Sequence, residues 1–252
     1  MSIRKLNKFS QSLDNKDFTI SSEILLRPDT GREAIKIQAE LLKEHVDGIL
    51  VTDNQSGQLH MATLSAGIIL KENGIDPIIN LTCRNRNRIS LTSELLGCAS
   101  LDMNNLLLTR GEKIPNEIKR KAAALTEMNA TELISLANKI KTDEKLPTNN
   151  DFLIGGVVTP FTAKPGWPAT NLSEKIDAGA QFMITHTCLD MDVIKCVIYF
   201  DFKASIIVYA ISGWPFISTT FFLFIDFEPP LAGITPSIFG FLFFLFTVFT
   251  IN

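Results

Sequence analysis

The first 190 residues alternate between short apolar, β-prone runs and segments whose apolar residues follow helical spacing. Six such runs occur, at residues 17–26, 46–51, 77–82, 105–109, 151–159 and 180–185. They recur roughly every thirty residues with a helical segment between them, which is typical of parallel βα units. A complete (β/α)8 barrel has about 250 residues, so six units in about 190 residues have the number of residues per unit that such a barrel needs. The pattern therefore predicts an α/β fold of the (β/α)8 TIM-barrel type.

The last 57 residues break this pattern. Only four of the charged residues lie after residue 195, whereas 13 of the 18 Phe residues do. Residues 204–225 and 231–251 carry no charge and are 22 and 21 residues long. Each could cross a bilayer, for which about 20 apolar residues suffice. Two interpretations stay open: a membrane hairpin following a soluble domain, or a shifted reading frame that replaces the last two βα units.

This break suggests two regions with different character. Residues 1–195 are predicted to form an incomplete barrel of about six βα units, and residues 196–252 an apolar tail. An unclosed barrel would expose the edges of its first and sixth strands. The residues before the first strand lack the apolar core of a signal peptide and are interpreted as a polar lead-in.

Composition narrows the class of protein further. The net charge of −3 favours no polyanionic partner, and the four cysteines form no CxxC pair. These features predict a cytoplasmic protein with reduced thiols, no metal site and no nucleic-acid partner. Membrane association is expected only through residues 204–251.

Polar side chains lie at or near the ends of the first four predicted strands. Glu23 is an acid within an apolar run, and an enclosed carboxyl group can have its pKa raised by desolvation. The alternative is a glutamate on the solvent face of an alternating strand. Thr52, Asn80, Thr82 and Arg110 follow in the next three strands. Parallel α/β enzymes bind ligands at the carboxyl ends of their strands, so these residues could line one site, or could be ordinary loop residues.

Three arginines alternate after the third strand. Arg84, Arg86 and Arg88 precede a predicted helix, where they could hold an anion such as phosphate or form a solvated basic turn. His186, at the end of the sixth strand, is the histidine best placed for function. The sequence contains no GxGxxG, P-loop or nucleophile-elbow motif, so a nucleotide cofactor would be held in a non-Rossmann manner.

Five segments in order resemble one enzyme family. They are SSEILLRP, GILVTDNQSG, LTCRNRNRISLTSELLG, NNLLLTRGE and KIDAGAQFMITH. Over residues 17–195 the chain resembles the methylenetetrahydrofolate reductase family. The resemblance implies a (β/α)8 barrel with non-covalently bound FAD. It also implies reduction of 5,10-methylenetetrahydrofolate to 5-methyltetrahydrofolate by NAD(P)H, a step of one-carbon and methionine metabolism, and we expect a homo-oligomer.

The resemblance also suggests roles for individual residues. Glu23 matches the family's general acid, which helps to open the methylene bridge of the folate. Glu112 and His186 are expected to contact the folate substrate. The residues expected to contact the cofactor are Thr52, Asn80, Thr82, Arg110, Gly111, Glu112, Asn171 and Lys175.

Four positions depart from the family pattern. Glu112 replaces the usual Asp, Asn80 the usual His, Asn85 the usual Asp and His186 the usual Gln. These departures suggest a divergent member whose last two βα units are missing or replaced. The alternative function is therefore a truncated or non-catalytic barrel that binds flavin or folate, with a possible membrane tether in the tail.

Overall fold

The computed structural model describes residues 7–15, 18–113, 125, 127–146, 151–158 and 170–185, and the backbone of residues 205–210 and 244–249. The helices are α1 (Lys8–Asn15), α2 (Arg32–Leu42), α3 (Thr63–Glu72), α4 (Arg88–Ser100), α5 (Ala130–Thr142) and α6 (Thr170–Asp177). The strands are β1 (Phe18–Ile24), β2 (Gly48–Val51), β3 (Pro77–Thr82), β4 (Asn105–Thr109), β5 (Leu153–Val158), β6 (Phe182–Thr185), β7 (Ser205–Ala210) and β8 (Phe244–Phe249).

The first six strands form the curved parallel sheet that the sequence predicts. Each strand from β1 to β6 pairs in parallel with the next, and a helix follows each of the first five. Parallel pairing requires such crossovers, and their helices cover the outer face of the sheet. The prediction of an incomplete (β/α)8 barrel is confirmed.

The apolar tail supplies two further strands. β7 pairs in parallel with β6, and β8 lies antiparallel between β7 and β1, so the ring of strands closes. The edges of β1 and β6, which an unclosed barrel would expose, are therefore both paired with strands of the tail. Both tail segments are rich in β-branched and aromatic residues, which favour strands. Because β8 runs in the opposite direction, the ring is not a regular (β/α)8 barrel.

The two apolar stretches of the tail are described only at these strands, and the rest of residues 204–225 and 231–251 lies outside the described residues. Among the residues that are described, no helix is long and apolar enough to cross a membrane.

Side chains of the first six strands alternate between two apolar layers. Ile49, Ile79 and Leu106 pack outward against the helices, whereas Leu50 and Ile78 belong to a cluster inside the barrel. This alternation follows from the pleat of a β-strand, on which successive side chains point to opposite faces. It determines which polar side chains at the strand ends face the interior.

Paired glycines in β5 let another side chain fill the barrel. A Cβ atom on Gly155 would collide with the Phe182 ring. A glycine within a strand allows this close approach. The Phe182 ring also meets Phe9 edge-on, with 5.8 Å between ring centroids.

A helix that the sequence analysis missed closes the amino end of the barrel. Residues read as a polar lead-in form α1, whose Phe9 and Leu13 are buried in the interior cluster. The Lys8 ammonium donates to the Val46 carbonyl at 2.7 Å, and the Lys8 backbone N–H donates to Asp76 Oδ2 at 2.6 Å. Two large apolar residues one turn apart are too weak a periodic signal to predict a helix of eight residues.

Candidate functional site

The carboxyl ends of β1 to β4 carry a group of polar side chains, here called the mouth residues. We assign them to the inner face because their sequence neighbours Ile24, Val51, Ile79 and Leu108 pack in the outer clusters. The mouth residues are Glu23, Thr52, Asn80, Thr82 and Thr109. Four of them were predicted from the sequence, and the strands bring these four together with Thr109.

Glu23 is enclosed at the carboxyl end of β1. Glu23 is only 7 % exposed, which excludes the alternative that it lies on the solvent face of the strand. It lies beside Leu50 of β2 in the strand register. Just beyond, the Thr52 hydroxyl donates to the Ile24 carbonyl at 3.3 Å and so joins the ends of the two strands. The site thus contains an enclosed carboxyl group next to Leu50 and Thr52 of the β2 end.

Asp53 is a residue that the sequence analysis did not single out. Its carboxylate accepts from the Thr82 backbone N–H at 2.8 Å and from the Thr82 hydroxyl at 2.9 Å. It also accepts hydrogen bonds from both terminal nitrogens of Arg86, at 2.6 and 3.2 Å. The Asp53 side chain is 1 % exposed and that of Arg86 is 14 % exposed. This buried pair locks the end of β2 to the end of β3.

The Asp53–Arg86 ion pair changes the interpretation of the three arginines Arg84, Arg86 and Arg88. Burial tends to lower the pKa of Arg86, but the hydrogen bond and charge of Asp53, together with Glu94, raise it. Arg86 is therefore a charged group already neutralised by the protein. Arg88 lies exposed, with its Nε 3.9 Å from Glu127 Oε1. Of the three, Arg84 is the one without a carboxylate partner within the described part of the chain.

Asn80 is held by a neighbour on β4. The Thr109 hydroxyl donates to Asn80 Oδ1 at 3.2 Å. Both residues are half-buried on the inner face. The sequence indicated Asn80 but not Thr109, although Thr109 is also a polar residue at a strand end.

The turn after β4 depends on a glycine. Gly111 has a φ of +83°, and a Cβ atom there would lie 2.9 Å from Thr82 Cβ. Its carbonyl accepts from Arg84 Nε at 3.2 Å. Arg110 and Glu112 lie exposed on either side of it. The backbone therefore passes close to β3 while both charged side chains remain accessible.

A cleft of about 270 Å³ lies beside this turn. Its lining includes the first turn of α5, where the N-cap residue Asn129 forms a capping box with Glu132. The cleft is lined by Arg84, Arg110, Leu125, Glu127, Met128, Asn129 and Glu132. Among the described residues, the Arg110 guanidinium forms no hydrogen bond or ion pair, so it can bind an anion.

A buried thiol lies near this cleft. Burial, together with the charge of Glu132, raises the pKa of Cys83 to about 11, although Arg110 opposes this shift. Its Sγ lies 3.3 Å from the Asn129 carbonyl oxygen. Because the thiolate is the nucleophilic form, Cys83 is not suited to covalent catalysis.

The remaining predicted site residues lie on or beyond α6. The Lys175 ammonium donates to the Val157 carbonyl near the carboxyl end of β5 at 2.5 Å, and burial lowers its pKa. Asn171 is exposed in the first turn of the same helix. No described contact joins either residue to the mouth residues. His186 lies outside the described residues.

Comparisons with known proteins identify a family and similar folds. The family model described as methylenetetrahydrofolate reductase matches residues 8–213. A Clostridium thermocellum protein that binds two copies of 5-methyl-5,6,7,8-tetrahydrofolic acid has a similar structure, with a TM-score of 0.53 and 15% identity over 75% of this chain. The match spans 62% of that protein. A 2,3-dimethylmalate lyase has a TM-score of 0.53 with 12% identity, over 80% of this chain and 69% of the lyase. A search of curated proteins found no match.

Proposed function

Because the chain belongs to the methylenetetrahydrofolate reductase family, we propose that it reduces 5,10-methylenetetrahydrofolate to 5-methyltetrahydrofolate with NAD(P)H and FAD. The observation that carries this proposal is the enclosed Glu23 carboxyl group among the mouth residues. A folate ligand is further supported by the structural relative that binds 5-methyltetrahydrofolic acid.

Glu23 would act as the general acid. Its proton would pass to the bridging amine nitrogen of the folate as the bond from that nitrogen to the methylene carbon breaks, leaving an iminium that accepts hydride. An enclosed carboxyl group at the carboxyl end of a barrel strand suits this task, because ligands of parallel α/β barrels bind at that face. The neighbouring Thr52 would keep the β1 and β2 ends together and so hold Glu23 in position.

Donor groups at the mouth, in the turn after β4 and on α6 support a flavin ligand. Asn80 offers amide protons, Arg110 offers an accessible guanidinium, and the backbone at Gly111 passes close to the β3 wall. Lys175 uses one of its three ammonium protons on Val157 and retains the others for a phosphate or hydroxyl. Thr52, Thr82, Glu112 and Asn171 are the other residues we propose to contact it. When bound, the flavin would supply hydride transfer between the pyridine nucleotide and the folate.

Replacing Glu23 with Gln tests the assignment of the acid. The full-length chain should bind FAD and reduce 5,10-methylenetetrahydrofolate. Glu23→Gln should lower folate reduction by at least about a hundredfold, the lower range for loss of a general acid, while FAD binding remains. Flavin absorbance measures the binding, and anaerobic turnover with NADH or NADPH measures the reduction.

Glu33→Gln on the exposed face of α2 is a matched control and should leave both measurements unchanged. A full-length chain that binds neither FAD nor folate would refute the proposed function. Full activity in Glu23→Gln would refute the role of Glu23 alone.

A second candidate function is folate or flavin binding without reduction. It is favoured by the direction of β8, whose carboxyl end lies at the amino end of the barrel because it is antiparallel to β1. The carboxyl end of β8 therefore points away from the mouth, whereas in a regular barrel the loop after the eighth strand lies at the mouth and often carries catalytic groups. Tight ligand binding with no reduction by the full-length chain would favour this candidate.

A further inference from the structure

We propose that Asn80 is a specificity-determining residue that presents only hydrogen-bond donors to the bound ligand, and that Thr109 is the positioning residue that enforces this polarity. The inference rests on the proposed function and deepens it by naming the chemistry that this wall of the mouth recognises.

The polarity of Asn80 follows from its contact with Thr109. A primary amide has one acceptor oxygen and two amino protons, and its orientation is set by its partners. The Thr109 hydroxyl donates to Asn80 Oδ1 at 3.2 Å, so this oxygen turns towards β4. Among the described residues, Asn80 Nδ2 donates to no group. Its two protons are therefore available to the barrel interior.

The surrounding wall keeps this arrangement rigid. Thr82, two residues along the same face, is held at both its backbone N–H and its hydroxyl by Asp53. The Thr82 hydroxyl donates to Asp53 and so offers only its lone pairs to any other group. Residues two apart on a strand share a face and lie about 6.6 Å apart. Asn80 and Thr82 thus form one fixed hydrogen-bonding edge of the mouth, in which Asn80 offers the donor and Thr82 the acceptor.

This edge fits a planar heterocycle that places an acceptor atom against Asn80. A carbonyl oxygen or an unprotonated ring nitrogen has this chemistry, and both the flavin ring of FAD and the pterin ring of a folate carry such atoms. A donor–donor clash would arise if a ligand N–H were placed there. The two rings are distinguished by separate titrations with FAD and with 5-methyltetrahydrofolate.

Asn80→Asp is the informative substitution. Aspartate has nearly the same shape and can still accept from Thr109, but it replaces the inward donor with an acceptor. We expect the affinity for one of the two probes to fall by at least about tenfold, the scale for losing a hydrogen bond and gaining a repulsive acceptor. Asn85→Asp makes the same charge change at an exposed position outside the mouth and should bind both probes as the unmodified protein does.

Substitutions of Thr109 test its positioning role separately. Thr109→Val keeps the shape but removes the hydroxyl, which frees the amide to rotate, so the same probe should lose about threefold to tenfold in affinity. Thr109→Ser restores the hydroxyl and should recover the affinity of the unmodified protein. A purely structural role would predict loss of thermal stability in both variants and equal weakening of both probes.

The outcomes separate this inference from the proposed function. If the full-length chain binds FAD or folate and Asn80→Asp binds as tightly, the donor assignment is overturned while the function stands. If Thr109→Ser fails to recover what Thr109→Val loses, the positioning role is overturned. If the full-length chain binds neither probe, the proposed function fails and this inference fails with it.

Discussion

The two ends of the barrel are closed by different kinds of interaction. At the amino end, α1 inserts Phe9 and Leu13 into the interior cluster, and its polar contacts are a hydrogen bond between the Ser12 and Thr19 hydroxyls and the contacts of Lys8 with Val46 and Asp76. At the carboxyl end, buried side chains bind one another, most clearly Asp53 and Arg86. The amino end is thus closed mainly by buried apolar side chains with neutral hydrogen bonds, whereas the carboxyl end is held by a buried charged pair.

This difference matches how barrel enzymes divide stability from function, since ligand sites lie at the carboxyl face. Apolar packing is non-directional and stabilises without specifying orientation. A buried ion pair contributes less net stability, but its hydrogen bonds hold donors and acceptors in place. Substitutions at the two ends should therefore separate loss of stability from loss of binding.

The largest effect is expected from Asp53→Ala. This change leaves Arg86 as a buried charge and removes the acceptor of the Thr82 N–H, so the free energy of unfolding should fall by about 3–5 kcal/mol. Urea denaturation measures the loss, and binding of FAD or folate should weaken in the same variant because Thr82 is released.

A matched control is Glu72→Ala, which breaks an exposed ion pair between Glu72 and Arg32. The side chains of Glu72 and Arg32 are 48% and 60% exposed. Its loss should stay below about 1 kcal/mol. Equal losses of unfolding free energy in the two variants would show that burial does not determine the strength of the Asp53–Arg86 ion pair.

A somewhat smaller effect is expected from Phe9→Ala at the amino end. Removing this ring empties part of the interior cluster, and the free energy of unfolding should fall by about 3 kcal/mol. Ligand affinity at the mouth should change by less than about twofold, since the two ends are separated by the interior layer. Thermal denaturation and FAD titration measure the two quantities.

Asp14→Ala, on the exposed face of the same helix, should leave both quantities unchanged. A parallel fall of ligand affinity and stability in Phe9→Ala would contradict the separation of the two ends.

The smallest of these effects is expected from Gly111→Ala. Its φ of +83° disfavours alanine, and the added Cβ would also lie 2.9 Å from Thr82 Cβ. We expect a loss of about 2 kcal/mol together with weaker ligand binding. Gly74→Ala is the matched control, because Gly74 has a φ of +80° with no atom within 4 Å of the added Cβ.

Gly74→Ala should cost about 1 kcal/mol from backbone strain alone and leave binding unchanged. The difference between the two variants isolates the contact with the β3 wall. If both lose the same stability and neither loses binding, close approach at Gly111 has no functional consequence.

Much of the wall and four of the mouth residues could be predicted from local patterns. Apolar runs separated by helical segments identify β1 to β6, and the polar groups that end the runs include Glu23 and Asn80. The start of α5 also carries a local signal, because the capping box of Asn129 and Glu132 lies within four residues. Helix α1 could not be predicted in this way, since its burial depends on a barrel end formed by residues distant in sequence.

The sequence by itself determined the six βα units, because hydrophobic periodicity is a property of neighbouring residues. Only the tertiary structure decided which polar groups pair. Asp53 and Arg86 are 33 residues apart, and Asn80 and Thr109 are 29 apart, and each pair meets because parallel strands bring their carboxyl ends side by side. The direction of β8 was also decided there, since an uncharged β-prone run pairs equally well in either direction and its alignment depends on the strands that flank it.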